Sequence, residues 1–233
     1  LVGLTRLEYR GYDSAGIAVL DNGEITVRKE KGKIKDLEDL LLTHPVEGTI
    51  GIGHTRWATH GEPNRQNAHP HVDNHGKVAV VHNGIIENHH TIRQELIEKG
   101  HVFHSETDTE VIPHLFEDYY KKHKDSAKAL QETIARLDGR YAFVVLVEQE
   151  PDRLYFARSG SPLVYGRGRG ESFLASDVSA IVPAAKEHLH IDNDQWGWIT
   201  KDSLELRSKT GEAVPFEMSR TQIDVKALDR AGY

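Results

Sequence analysis

Three short stretches bring together residue types suited to work on an amide. "HNG", His82–Gly84, sets an amide side chain beside a glycine at the end of the apolar run Val78–Val81. An Asn side chain supplies one N–H, a glycine lets a backbone N–H approach a reacting carbonyl, and two such donors make an oxyanion hole. The same dipeptide after a strand is also a common hairpin turn. "HTRWATHG", His54–Gly61, offers Arg56. Its planar fork suits a carboxylate, although a surface ion pair beside a packed indole is the plainer use. Thr59 and His60 then lie on a loop able to close over a ligand, with Gly61 as its flexible point. "SETDTE", Ser105–Glu110, offers Asp108 as the partner of an ammonium, or simply an acidic helix start favoured by the helix dipole. One Arg for a carboxylate and one Asp for an ammonium would together recognise a free α-amino acid. A fourth stretch, "AHPHVDNH", places His69, His71, Asp73 and His75 at period two, on one face of an extended segment. Zinc accepts such a donor set, but Pro70 interrupts regular strand structure and polar loops collect histidine without metal.

These clusters need a scaffold, and the pattern of the chain predicts one. Ser14–Asp21 and Glu24–Glu30 alternate around Asn22-Gly23, a hairpin signal. Thr49–Trp57 and Lys77–Ile85 read as strands, with a long polar segment from Ala58 to Gly76 between them. Helices are predicted over Leu37–Leu42, over Thr91–Gly100, from an N-cap at Ser105 to about Lys121, and over Asp125–Leu137. From Tyr141 on, strands dominate: Tyr141–Val147, Leu154–Ala157, Leu163–Gly166, Phe173–Ala175, around Ile191, Trp198–Thr200 and Leu204–Arg207. A helix capped by Ser176 or Asp177 and running into Lys186 is expected among them. Strands in runs with helices in pairs argue an α+β layering in one domain, residues 1–233.

Composition narrows the function. The 233 residues are 38% hydrophobic and 28% charged with a formal charge of −7. That gives no general attraction to nucleic acid or anionic membrane, and no apolar run approaches a membrane span. A cytoplasmic protein is expected. There is no cysteine, so disulfides, thiolate metal sites and cysteine nucleophiles are excluded within these residues. Fifteen histidines are many for a chain of this length.

In order along the chain, "RLEYRGYDSAGIAV", "GIGHTRWATHGEPNRQNAHPH", "VVHNGIIENH" and "SETDTEVI" closely resemble the glutaminase domain of the glucosamine-6-phosphate synthase family. "ARSGSPLVYG" and "FLASD" resemble the later strands of that domain, and "ALDRAGY" the lead into the family's sugar isomerase domains. The resemblance implies an N-terminal-nucleophile hydrolase fold, a four-layer αββα sandwich of two antiparallel sheets. It implies hydrolysis of L-glutamine to glutamate and ammonia by an N-terminal cysteine whose own α-amino group is the base. The ammonia would aminate fructose-6-phosphate on the isomerase domains, in amino-sugar biosynthesis. Carried over, Asn83 and Gly84 are the oxyanion hole, Arg56 binds the α-carboxylate with Thr59 and His60 on the closing loop, and Asp108 binds the α-ammonium. Trp57 lies near the mouth of the ammonia route, and Arg10 and Gly11 pack against the nucleophile. The family uses no metal at His69 and His71, and no metal or cofactor is expected.

The resemblance also implies a cysteine-bearing first strand, roughly 15 residues counted with its turn and helix, ahead of Leu1. These residues alone are therefore expected to be inactive, with the isomerase domains absent and the full-length protein a homo-oligomer. A non-catalytic glutamine-binding module stays open as an alternative. So does the glutaminase domain of another type 2 amidotransferase, such as amidophosphoribosyltransferase, although its first two motifs differ.

Overall fold

The computed structural model describes residues 1–57 and 61–220. The chain opens with a single helical turn, α1 (Val2–Thr5), and a 3-10 turn at Glu8–Arg10. The hairpin predicted at Asn22-Gly23 joins β1 (Ser14–Asp21) to β2 (Glu24–Lys31). Next come α2 (Ile34–Thr43), β3 (Gly51–Arg56), the two-residue β4 (His71–Val72) and β5 (Val78–Ile86). Three helices follow: α3 (His89–Glu98), α4 (Val111–His123) and α5 (Ser126–Arg136), the last capped by the Asp125 carboxylate on Lys128 N. The strands after them are β6 (Gly139–Val147), β7 (Arg153–Ser159), β8 (Val164–Arg167), β9 (Ser172–Ala175), β10 (Glu187–His190), β11 (Gln195–Thr200), β12 (Leu204–Arg207) and β13 (Ser219–Arg220).

Side-chain alternation builds the layers. The six-stranded sheet runs β12-β11-β7-β6-β5-β4, antiparallel at every step. One face of it carries Val78, Val80, Tyr141, Phe143 and Val145, which meet Ile92, Leu96, Ile112, Phe116 and Leu130 of the three helices. The opposite face carries Ala79, Val81, Ala142, Val144 and Leu146, which meet Ala18, Leu20, Ile52 and Tyr165. Both faces of β5 and β6 are therefore buried, which is why these strands read as continuous apolar runs.

The second sheet layer is in two pieces among the described residues, β2-β1-β3 and β13-β10-β8-β9. Outside the first piece, Ile34 and Leu37 of α2 pack on Ala15. Outside the second, Ile181 and Ala185 pack on Val164. The order is helix, sheet, sheet, helix, as the resemblance implies, with the second sheet layer in two pieces whose edge strands include β3 and β9.

Two predicted helices are corrected. Ser105 is not an N-cap: α4 begins at Val111, and Ser105 sits in a turn closed by the Glu110 carboxylate. That carboxylate accepts from His104 N, Ser105 N and Ser105 Oγ at 2.8, 2.7 and 2.6 Å. The local bonding outcompetes helical continuation, and Pro113 falls in the first turn, where its missing N–H costs nothing. After Asp177 only a 3-10 turn forms, Val178–Ala180. Pro183 stands where a longer helix would need an interior N–H.

Candidate functional site

β3 and β5 belong to different sheets and lie against one another where the two layers face. His54 near the end of β3 and Asn83 on β5 meet there, His54 Nε2 to Asn83 Oδ1 at 2.9 Å. Asn83 Oδ1 accepts from the Nε2–H, so its Nδ2 amide is the donor left for a ligand. Burial pushes His54 down to about 4, so the ring is neutral near pH 7. Gly84 stands at φ 128°, and a Cβ there would lie 1.9 Å from the Arg140 carbonyl oxygen. Only glycine fits, as an oxyanion-hole backbone requires.

Arg56, the last residue of β3, is 4% exposed. Its Nη2 donates to the Gly61 carbonyl at 3.3 Å, and Nη1 lies 4.0 Å from Asp13 Oδ1. Burial pushes the guanidinium below its usual range, while the carboxylates of Asp13 and Asp108 act in the opposite direction. Asp108 sits in the turn ahead of α4, is 4% exposed, and accepts from Ile86 N at 2.8 Å. A buried cation at the end of β3 and a buried anion in the turn before α4 thus line one space.

That space is a cavity of about 840 Å³. Arg10, Arg56, Trp57, Asn83, Gly84 and Asp108 all line it. Trp57 is 62% exposed at the rim and packs edge-on against Tyr12, ring centroids 5.6 Å apart. Gly11 is not in the lining but lies beneath it, where a Cβ would come within 2.6 Å of the Thr55 carbonyl oxygen. Arg10 Nη2 is paired with Asp177 Oδ2 at 2.6 Å, which ties the first turns to the segment after β9. Thr59 and His60 lie outside the described residues.

The sequence motifs did not single out several groups that line the same cavity. His54, His82, Thr107 and Thr109 are among them, and His69, singled out only as a possible zinc ligand, lines it too. His82 Nδ1 and Thr109 Oγ1 are 2.8 Å apart, and His82 N donates to His69 Nδ1 at 3.3 Å. Burial pushes His82 down to about 4 and His69 and His71 well below their ordinary value. A histidine within a strand carries no signal of its own, so this cluster becomes visible only when β3 crosses β5.

The proposed period-two metal face is not held together. His69 and His71 are buried with ring centroids 4.9 Å apart, beside His54 and Thr107. Asp73 turns to the amides of Lys77 and Val78, both at 2.7 Å, and His75 to Glu117. The short strand β4 ends at Val72 and breaks the alternation.

A guanidinium, a carboxylate and an amide donor thus line one cavity, a set with the chemistry to pair with a carboxylate, an ammonium and a carbonyl oxygen.

A family described as a glutamine amidotransferase domain matches residues 54–183. The chain is 48% identical over 233 residues to the glutamine–fructose-6-phosphate aminotransferase [isomerizing] of Caldanaerobacter subterraneus subsp. tengcongensis. It is 47% identical over 232 residues to the protein of the same name from Pyrococcus horikoshii. The first match takes in 100% of this chain and 38% of the relative, the second 99% and 39%. The chain thus spans well under half the length of these relatives. A solved glutamine phosphoribosylpyrophosphate amidotransferase from B. subtilis superposes with a TM-score of 0.76 at 26% identity, over 91% of this chain and 46% of that one.

Proposed function

Because this chain belongs to the glutamine amidotransferase family, we propose that it binds free L-glutamine and forms the glutaminase part of an enzyme that passes the side-chain nitrogen to fructose-6-phosphate. The observation that carries this reading is the placing of Arg56, Asp108, Asn83 and Gly84 on one cavity. Identity of 46–48% over the chain to relatives of one name favours the sugar-phosphate acceptor. Residues 1–233 are taken as one glutaminase unit.

Arg56 holds the glutamine α-carboxylate and Asp108 the α-ammonium, which leaves the side-chain amide to reach Asn83 and Gly84. A thiolate adds to the amide carbon, and the resulting oxyanion takes hydrogen bonds from Asn83 Nδ2 and Gly84 N–H. The C–N bond then breaks, ammonia leaves with a proton from the ammonium formed on the base, and water hydrolyses the thioester to glutamate. The 233 residues contain no cysteine, so this thiolate has to be supplied by other residues. β3 and β9 are edge strands that both line the cavity, and a thiol-bearing strand would find two unpaired edges there.

The test uses a protein that carries this chain together with the thiol and sugar-phosphate portions. It is expected to release ammonia from glutamine and to aminate fructose-6-phosphate. Asn83→Ala should lower kcat by about 10²–10³ with little change in KM. The 233 residues alone should release no ammonia. Tight glutamine binding by the longer protein without any ammonia release would instead make this a non-catalytic binding module.

A further inference from the structure

The glutamine reading leaves a second group of ionisable side chains unused. His101 follows α3, and His114 and Glu117 stand one turn apart on α4, all three buried. His101 Nδ1 lies 3.2 Å from His114 Nδ1 and 3.5 Å from Glu117 Oε2. Ligand atoms about 2.0–2.1 Å from a tetrahedral zinc stand roughly 3.3 Å from one another. Both distances from His101 match that spacing, and all three ligand atoms lie within 4.8 Å of one another.

The surrounding bonds leave the right atoms for coordination. His101 Nε2 meets Asp118 Oδ1 at 2.8 Å. That carboxylate fixes the proton on Nε2 and leaves a lone pair on Nδ1, the usual outer-shell arrangement of a ligating histidine; Asn74 Nδ2 approaches this lone pair at 3.4 Å and would give way to an ion. His114 Nε2 faces Glu110 Oε1 at 3.8 Å, which favours the same tautomer. Glu117 uses only one oxygen elsewhere: Oε1 meets His75 Nδ1 at 2.5 Å and Lys121 Nζ at 2.7 Å. Its Oε2 is buried with no hydrogen-bond partner among the described residues. A bare buried carboxylate oxygen beside two imidazole nitrogens that face each other is an arrangement that a cation completes.

The neighbouring set Asp73, His75 and Glu117 is the weaker choice. Three backbone amides already occupy Asp73, and His75 is exposed. Two ammonium groups border the cluster, Lys121 on Glu117 and Lys99 on Asp118 at 3.0 Å. A cavity of about 510 Å³ lined by His75, His101, Asp118 and Lys121 opens onto it, and shares no residue with the lining of the glutamine cavity.

We infer that His101, His114 and Glu117 bind one divalent transition metal, with zinc the best match to two imidazoles and a carboxylate, and with water from the adjoining cavity in the fourth position. The ion would displace any proton shared between the two Nδ1 atoms and would join the end of α3 to α4. This inference does not depend on the glutamine reading.

The test is titration of the chelator-treated 233-residue chain with Co²⁺, followed by displacement with Zn²⁺. One equivalent of Co²⁺ should bind with the intense visible bands of four-coordinate geometry, and Zn²⁺ should remove them and raise Tm. Glu117→Gln, which keeps the side-chain volume, and His101→Asn should each weaken binding at least tenfold, and Asp118→Asn about 10–100-fold. Circular dichroism confirms that each variant is folded, and Glu117→Gln alone decides if His101→Asn is not. No stoichiometric binding, or weak six-coordinate bands, would overturn the assignment. So would binding kept in Glu117→Gln but lost in His69→Asn, which would place the metal among the histidines beside the glutamine cavity.

Discussion

The 2.9 Å contact between His54 Nε2 and Asn83 Oδ1 decides which end of the Asn83 amide meets a ligand. It requires a proton on Nε2, and burial separately keeps the ring neutral. His54 should therefore titrate near pH 4, and its imidazole nitrogen shifts in NMR should stay those of the neutral form down to about pH 5. A neutral ring with its proton on Nδ1 would instead turn the Asn83 amide around, and a midpoint near the ordinary 6.5 would mean that the ring is not desolvated. At this scale the sharing of one cavity by Arg56, Asn83, Gly84 and Asp108 matches their grouping in sequence, because each belongs to a motif whose chemistry can be named from residue type. His54, His82 and Thr109 were not. Each acquires its role from a partner at least 27 positions away in sequence, a distance that no local pattern encodes.

Among the elements, strands that bury both faces and helices with clear stops were read closely. β6 extends the predicted Tyr141–Val147 by two residues, and α5 sits inside the predicted Asp125–Leu137. The failures are segments in which side chains satisfy the backbone locally. Ser105 looks like a cap in sequence, yet its hydroxyl serves Glu110, and the helix waits until Val111. Burial alone would raise the pKa of Glu110, but the nearby His114 ring and hydrogen bonds from Ser105 and His104 hold it down at about 2. The turn that carries Asp108 hangs on this carboxylate. Glu110→Gln replaces an acceptor of charge-assisted bonds with a neutral amide, and should cost about 1–3 kcal/mol, read as a lower denaturation midpoint at unchanged m-value. A midpoint equal to that of the parent chain would mean that the turn is held by other contacts.

For the molecule as a whole, the order of the elements points to an α+β layering and the resemblance to the sandwich, and β3 and β9, edge strands of the two pieces of the second sheet layer, both line the cavity. The same interior buries His54, His69, His71 and His82, and lowers all four. The unfolded chain takes up protons near pH 6.5 that the folded chain refuses until about pH 4 at His54 and His82. More protons bound in the unfolded state means that stability rises with pH across that window, and falls as pH drops through it. The slope approaches roughly 1.4 kcal/mol per pH unit for each histidine. Melting curves between about pH 7 and pH 4.5 should show a steep loss of Tm, and a flat profile would mean that these rings are not buried as neutral groups. The cavity between the layers is where the central claim is tested most directly, by calorimetric titration of L-glutamine into the 233-residue chain. One site per chain is predicted, with binding weakened about tenfold or more by Arg56→Ala and by Asp108→Asn, and with no binding of an analogue lacking either the α-carboxylate or the α-ammonium. Binding that is indifferent to both substitutions, or equal for the truncated analogues, would contradict the assignment of this cavity to glutamine.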